Sequence, residues 1–169
     1  ILPGSKNTTE DLLFLKESGL EKQIINLNKQ GTPVIGICGG YQMLGEKVKD
    51  PDHTESDIDE LAGLSLLPVI TTFLPEKVTR QVKAKCDANS VMQLDITMGG
   101  LEGYEIHMGR TEYTAPVAKA FVLDRGEGPV VEDGAVREDG LVMGTYMHGI
   151  FDNDKLRRAI LNRLREKKG

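Results

Sequence analysis

Tryptophan is absent from the 169 residues, and aromatics amount to only 5% of them. A surface that reads bases or sugars by stacking has little to be built from. Two cysteines, Cys38 and Cys86, are too few for a disulfide framework, so the cytoplasm is the expected compartment. No apolar stretch approaches the roughly 18 residues of a membrane helix. The opening Ile1-Leu2-Pro3-Gly4 has no basic segment followed by an apolar one, as a secretory signal would. Basic excess is missing too: 21 Lys and Arg face 26 Asp and Glu, a net charge of −5 that argues against a nucleic-acid surface. There is no Gly-x-x-x-x-Gly-Lys-Ser/Thr loop, and Gly4-Ser5-Lys6 lacks the preceding glycine-rich turn of a phosphate cradle. Gly99-Gly100-Leu101-Glu102-Gly103 is a poor dinucleotide fingerprint and reads better as a turn. No metal site is expected.

What is present suits one α/β domain over residues 1–169. Hydrophobic residues make up 39% and charged residues 28%, enough for a core, and 19 glycines mark tight turns or close backbone approach. Ile1-Leu2 reads as the tail of a buried strand, so the chain looks cut at its N-terminus. Thr8-x-x-Asp11 resembles a capping box, and a helix with Leu12 and Leu15 should follow. A second helix over about 21–30 should bury Ile24, Ile25 and Leu27 and stop at Gly31. Pro33 to Ile37 is a short apolar run typical of a strand buried on both faces, and 39–48 reads as helix. Strand and helix alternating at this spacing imply a parallel sheet with crossover helices.

Residues 50–60 carry Asp50, Asp52, Glu55, Asp57, Asp59 and Glu60 and read as a solvated acidic loop. From Leu66 to Val131 the pattern is mostly extended, with Val78, Val82 and Ala84 in alternation. Asp133-Gly134 and Asp139-Gly140 are hairpin-turn signals. Leu141 to Tyr146 forms another buried strand. A closing amphipathic helix should turn Leu156, Ile160, Leu161 and Leu164 inward, with Arg165, Lys167 and Lys168 at the negative end of its dipole.

Gly36-Ile37-Cys38-Gly39-Gly40 joins a buried strand to a helix, the setting of a nucleophile elbow. A cysteine there sits in strained backbone, the helix start favours its thiolate, and the Gly39 N–H can meet a developing oxyanion. A buried, inert cysteine in a glycine-rich turn is the competing reading, and it is the better one for Cys86. A thiolate nucleophile needs a proton partner, normally histidine. His53 lies in the acidic loop. Between His107 and His148, position favours His148, which directly follows a buried strand at the end where α/β sheets place ligands.

At these residues the chain resembles the class I, triad-type glutamine amidotransferases, in which the position four after the cysteine is often Gln, here Gln42. Pro3-Gly4-Ser5-Lys6-Asn7-Thr8, Gly103-Tyr104-Glu105-Ile106-His107-Met108-Gly109-Arg110-Thr111 and Tyr146-Met147-His148-Gly149-Ile150-Phe151-Asp152 narrow the resemblance to the glutaminase domains of the cobyric acid synthase family. The resemblance implies a flavodoxin-like α/β fold, a mostly parallel sheet flanked by helices with an antiparallel extension. It also implies a further strand and helix ahead of Ile1.

By the same resemblance Cys38 attacks the side-chain amide of glutamine, forming a γ-glutamyl thioester and releasing ammonia, while His148 moves the protons. Gly39 and the Gly4-Ser5 turn hold the oxyanion, and Gln42 helps hold the substrate. The ammonia then serves an N-terminal ATP-dependent synthetase domain of the same polypeptide, which amidates corrinoid carboxylates. ATP and Mg belong to that domain and no cofactor to this one. The glutaminase alone is expected to be weak or inactive.

One departure stands out. Most triad-type relatives carry a Glu two residues after the catalytic His, where this chain has Ile150. Glu105 is a candidate substitute, although a cross-strand part suits it better, and His107 is a possible accessory. Other readings are glutaminases serving cobyrinic acid diamide synthesis or a cell-wall lipid precursor, a cysteine peptidase or γ-glutamyl hydrolase, and a non-catalytic binding domain. The Gly103–Thr111 motif favours the cobyric acid synthase group. Gln42 and the missing acid argue against a peptidase.

Overall fold

Leu2 enters a sheet at once, bridging Gly36 in parallel in the computed structural model, which describes residues 1–86 and 98–168. Its N–H donates to the Ile35 carbonyl at 2.8 Å and its carbonyl accepts from Ile37 N–H at 3.0 Å, as a strand tail beside a buried strand should. Helix α1 (Thr8–Glu17) follows, but its cap is Asn7 and not Thr8: the Asn7 side chain accepts from Glu10 N–H. Thr8 is instead buried and turned towards the site. In helix α2 (Leu20–Lys29), Ile24 and Ile25 pack on the core, whereas Leu27 is exposed, contrary to expectation. Strand β1 (Val34–Ile37) leads into helix α3 (Gly39–Leu44). That helix is shorter than its sequence pattern suggests, because the chain turns at Gly45 and Glu46 N–H bonds the Val69 carbonyl. Residues 47–49 therefore form strand β2 (Lys47–Lys49).

Strand β9 (Val142–Thr145) lies parallel to β1, with β8 (Ala135–Val136) antiparallel on its other edge. This sheet is the parallel core that the alternation implied. The antiparallel extension is the larger part. Among the described residues seven strands build it: β2, β3 (Glu60–Ala62), β4 (Val69–Cys86), β5 (Met98–Tyr113), β6 (Phe121–Asp124), β7 (Val131–Asp133) and β10 (Met147–His148). Among the described residues, only the β2–β4 pairing in it is parallel. The description mostly parallel thus fits the first sheet and not the second. Residues 99–103, read as a turn, belong to β5. Asp133-Gly134 is no hairpin; it is where the chain leaves one sheet for the other, while Asp139-Gly140 does sit in the β8–β9 hairpin. The 87–97 part of the extended stretch lies outside the described residues.

Val82, Ala84 and Cys86 point inward from β4 in strict alternation and pack with Phe121, Leu123 and Met147. Cys86 is thus core packing, as its surroundings indicated. Helix α4 (Asp154–Lys168) contributes Leu156 and Ile160 to the same core. Leu161 and Leu164 are exposed, because only the narrow stripe spaced four residues apart meets the sheet. No helix of the described residues is long and apolar enough to cross a membrane.

Candidate active site

Cys38 occupies the turn from β1 to α3 with φ 53° and ψ −113°, a positive-φ conformation that a side chain rarely adopts. The surroundings enforce it. Cys38 N–H donates to the Thr145 carbonyl of β9 at 2.8 Å, and Gly40 N–H to the Pro3 carbonyl at 3.1 Å. A Cβ on Gly40 would come within 2.1 Å of the Leu2 carbonyl oxygen, so the elbow can press against the N-terminal segment only with glycine there. Gly39 N–H points at the sulfur and works to lower the thiol, yet burial outweighs it and the Cys38 thiol is pushed up. The thiolate expected from the helix start is therefore not the resting form.

His148, in β10, reaches the same place from the other side. Its Nε2 lies 3.2 Å from the Ile106 carbonyl, and the Cys38 sulfur lies 3.1 Å from that same oxygen. A carbonyl only accepts, so the thiol hydrogen points at it and the imidazole carries its hydrogen on Nε2, leaving Nδ1 as the basic nitrogen. A Cβ on Gly4 would come 3.1 Å from His148 Cε1 and 3.7 Å from Cys38 Cβ, which places the Pro3-Gly4-Ser5 segment directly over the pair. Ser5 organises that segment, donating to Asp11 and accepting from Asn7 N–H.

Glu105 does not orient His148. Its side chain is 4% exposed and takes both Nε and a terminal nitrogen of Arg125, at 2.7 and 2.6 Å, together with His107 Nε2 at 3.2 Å. Burial alone would raise this carboxyl, but His107 and Arg125 outweigh it and hold it at about 2. Strand pleat explains the outcome: in the β10–β5 pairing His148 stands opposite Tyr104 and Met147 opposite Glu105, so Glu105 lies on the other face from His148. The hydrogen bond from His148 falls to the Ile106 carbonyl, and Ile150 is buried in the core.

His107 stacks on Tyr146 with ring centroids 3.9 Å apart, and its Nδ1 faces the Gly109 carbonyl at 3.3 Å. Gln42 is buried and largely committed within the protein. Its oxygen accepts from Thr8 Oγ1 at 3.0 Å, and its nitrogen donates to the Met108 carbonyl at 3.0 Å and to Tyr146 Oη at 3.3 Å. Both amide hydrogens are thus used, so Gln42 fastens α1 and β5 around the cysteine instead of offering donors to a ligand. Asp133, buried behind β9, accepts from Thr145 Oγ1 and Tyr146 N–H; burial pushes its carboxyl up to about 6.

Cys38, His148, Gly4, Ser5, Gln42 and His107 line one cavity of about 490 Å³, a size suited to a small polar ligand. Lys6, Thr8, Ile106 and Met108 line it as well, as do Glu55 and Lys77, neither of which was singled out from the sequence. Glu55 hides in a run of acids that looks solvated. Lys77 is brought in by a register shift between Thr72 and Lys77 that sets Lys77 opposite Met108. Asp50 is not solvated either; it is buried, and its carboxylate accepts from the N–H groups of Thr54, Glu55 and Ser56 at 2.7, 2.8 and 2.8 Å. Among the described residues no group of three or more His, Cys, Asp and Glu could hold a metal ion.

Residues 1–156 match the CobB/CobQ-like glutamine amidotransferase domain family. Over its whole length the chain is 48% identical to a cobyric acid synthase of Clostridium botulinum (strain 657 / Type Ba4) and 51% identical to that of Alkaliphilus metalliredigens (strain QYMF). It spans 33% and 34% of those two proteins, about a third of their length. Two solved structures share its fold. One, a glutamine amidotransferase, superimposes with a TM-score of 0.59 over 95% of this chain and 76% of its own, at 16% identity. The other, PurLQS from Thermotoga maritima, gives 0.60 over 86% and 68%, at 17% identity.

Proposed function

Since the chain belongs to the CobB/CobQ-like glutamine amidotransferase domain family, we propose that it is the ammonia-supplying half of a cobyric acid synthase, with Cys38 as nucleophile and His148 as its proton carrier. One observation supports this above the others: the strained Cys38 elbow and His148 converge on a single carbonyl oxygen inside one cavity.

In this reading the amide carbonyl of glutamine enters beside Gly39, whose N–H already points at the sulfur and would meet the oxyanion. The thiol hydrogen passes to His148 Nδ1 as the sulfur attacks. A tetrahedral adduct collapses to the γ-glutamyl thioester, and the imidazolium hands its proton to the departing ammonia. Water then enters, His148 takes a proton from it, and glutamate leaves as the thiolate is restored. The Ile106 carbonyl fills the place of the missing acid, because it fixes which ring nitrogen is bare.

At rest the thiol donates to Ile106 and not to His148, and burial keeps it protonated. Glutamine hydrolysis by this chain alone is therefore slow. An ATP-dependent synthetase domain of the same polypeptide would receive the ammonia, hold ATP and Mg, and amidate corrinoid carboxylates in the cytoplasm. The experiment is Cys38→Ala in the assembled synthase, assayed with glutamine and with ammonium as nitrogen source. Glutamine-dependent amidation should fall at least about 10³-fold while the ammonium-dependent rate is retained. Unchanged glutamine use would remove the nucleophile from this position.

A further inference from the structure

The cavity carries three charged side chains that the chemistry at Cys38 does not use: Glu55, Lys77 and, on the exposed segment before α1, Lys6. Glu55 stands on the 50–60 loop and Lys77 on β4, and both are close enough to act on the Cys38 thiol, Glu55 raising it and Lys77 lowering it. Glu55 is the single carboxylate among the described residues lining this cavity. One of its oxygens accepts from Thr8 N–H at 2.9 Å, and no ion pair joins it to a cation among the described residues. Burial pushes its carboxyl up. A half-buried carboxylate held beside a nucleophile it hinders is a poor arrangement for an empty site. It becomes a good one once a ligand brings a positive charge.

The loop is built to keep Glu55 there. Three successive N–H groups, those of Thr54, Glu55 and Ser56, are gathered by the buried Asp50 carboxylate. Lys77 comes from β4, next to an irregularity that re-aims the strand. A glutamine whose amide carbon sits at the Cys38 sulfur places its α-carbon three carbon–carbon bonds away, about 4 Å when extended. Its α-ammonium and α-carboxylate then lie within the cavity that Glu55 and Lys77 line.

Resting on the reading of this cavity as a glutamine site, we propose that Glu55 binds the α-ammonium and Lys77 the α-carboxylate of the substrate, so that the pair selects a free α-amino acid over a peptide or a simple amide. Asp50 is a positioning residue for Glu55.

The test reads protection of Cys38 from iodoacetamide, in the chain and in the synthase containing it. Three compounds compete: L-glutamine, 4-carbamoylbutanoate (no α-amino group) and 4-aminobutanamide (no α-carboxylate). Wild-type protein should hold L-glutamine about 30-fold more tightly than either truncated compound, as a charge-assisted contact implies. Glu55→Gln should lose about 30-fold on L-glutamine and less than about 3-fold on 4-carbamoylbutanoate. Lys77→Met should show the same pattern with 4-aminobutanamide. Equal losses on L-glutamine and on the truncated partner would make both residues structural and overturn the clamp. Absence of any protection of wild-type Cys38 by L-glutamine, in chain and synthase alike, would remove the glutamine site itself and the clamp with it.

Discussion

Two carboxylates in the neighbourhood of the site, Glu105 and Glu55, are treated by the fold in opposite ways. In the middle of β5, Glu105 is closed off by Arg125, just after β6, and by His107, and those partners hold it at about 2 despite burial. In the 50–60 loop, Glu55 has backbone N–H groups on one side and the cavity on the other, and burial raises it. A charge fully answered within the protein belongs to the architecture. A charge left facing a cavity is available to whatever enters.

The largest effect should come from breaking the answered charge. Glu105→Gln leaves Arg125 and His107 without their carboxylate. The full displacement of Glu105 would correspond to about 3 kcal/mol, and with Arg125 partly open to solvent about 2 kcal/mol is the figure to expect in urea unfolding at neutral pH. The pH dependence has a definite sign. The folded carboxyl lies below its ordinary 4.5, so this stabilisation is present above about pH 4.5 and is lost as pH falls towards 2. Wild type and variant should converge across that window, and parallel curves would mean that the pair adds nothing.

A smaller effect is expected at Asp50, the latch on the other side. Its burial works against ionisation, but the N–H groups of Glu55, Ser56 and Thr54 outweigh it and the carboxyl is lowered. Asp50→Asn keeps the shape and leaves one oxygen for three donors. About 1 kcal/mol of stability should go, together with about a 10-fold rise in KM for glutamine and little change in kcat. A fall in kcat at constant KM would place Asp50 with the chemistry and not with Glu55.

These two regions also differ in how readable they were. The elbow announced itself, because a cysteine flanked by glycines where an apolar run meets a helix is the pattern a strained nucleophile requires. The strand ending at Tyr146 likewise delivers His148 where α/β sheets place their ligands. What completes the site is non-local. Ile106 acts through a backbone carbonyl, which no side-chain pattern encodes. Glu105 follows the pleat of β5 away from His148, and its Arg125 partner lies 20 residues further along the chain. Lys77 depends on a strand irregularity, and Asp50 and Glu55 look like their solvated neighbours until the loop is folded. The antiparallel ribbon is larger than the extended pattern alone suggests, because the consecutive strands β4 and β5 pair along nearly their whole length.

The mildest change sharpens the comparison from within that acidic loop. Asp59 pairs with His53 at 3.1 Å, but its side chain is 80% exposed. Water already solvates such a pair, and holding two side chains together offsets most of the attraction. Asp59→Asn should change the unfolding free energy by less than about 0.5 kcal/mol and leave KM for glutamine unchanged. Residues 50–60 would then contain acids with three separate fates: one solvated, one buried as a latch, one turned towards the ligand. A rise in KM for Asp59→Asn comparable to that for Asp50→Asn would erase this distinction. The loop would then act through its summed charge, and the single carboxylate on the cavity wall would lose its special standing.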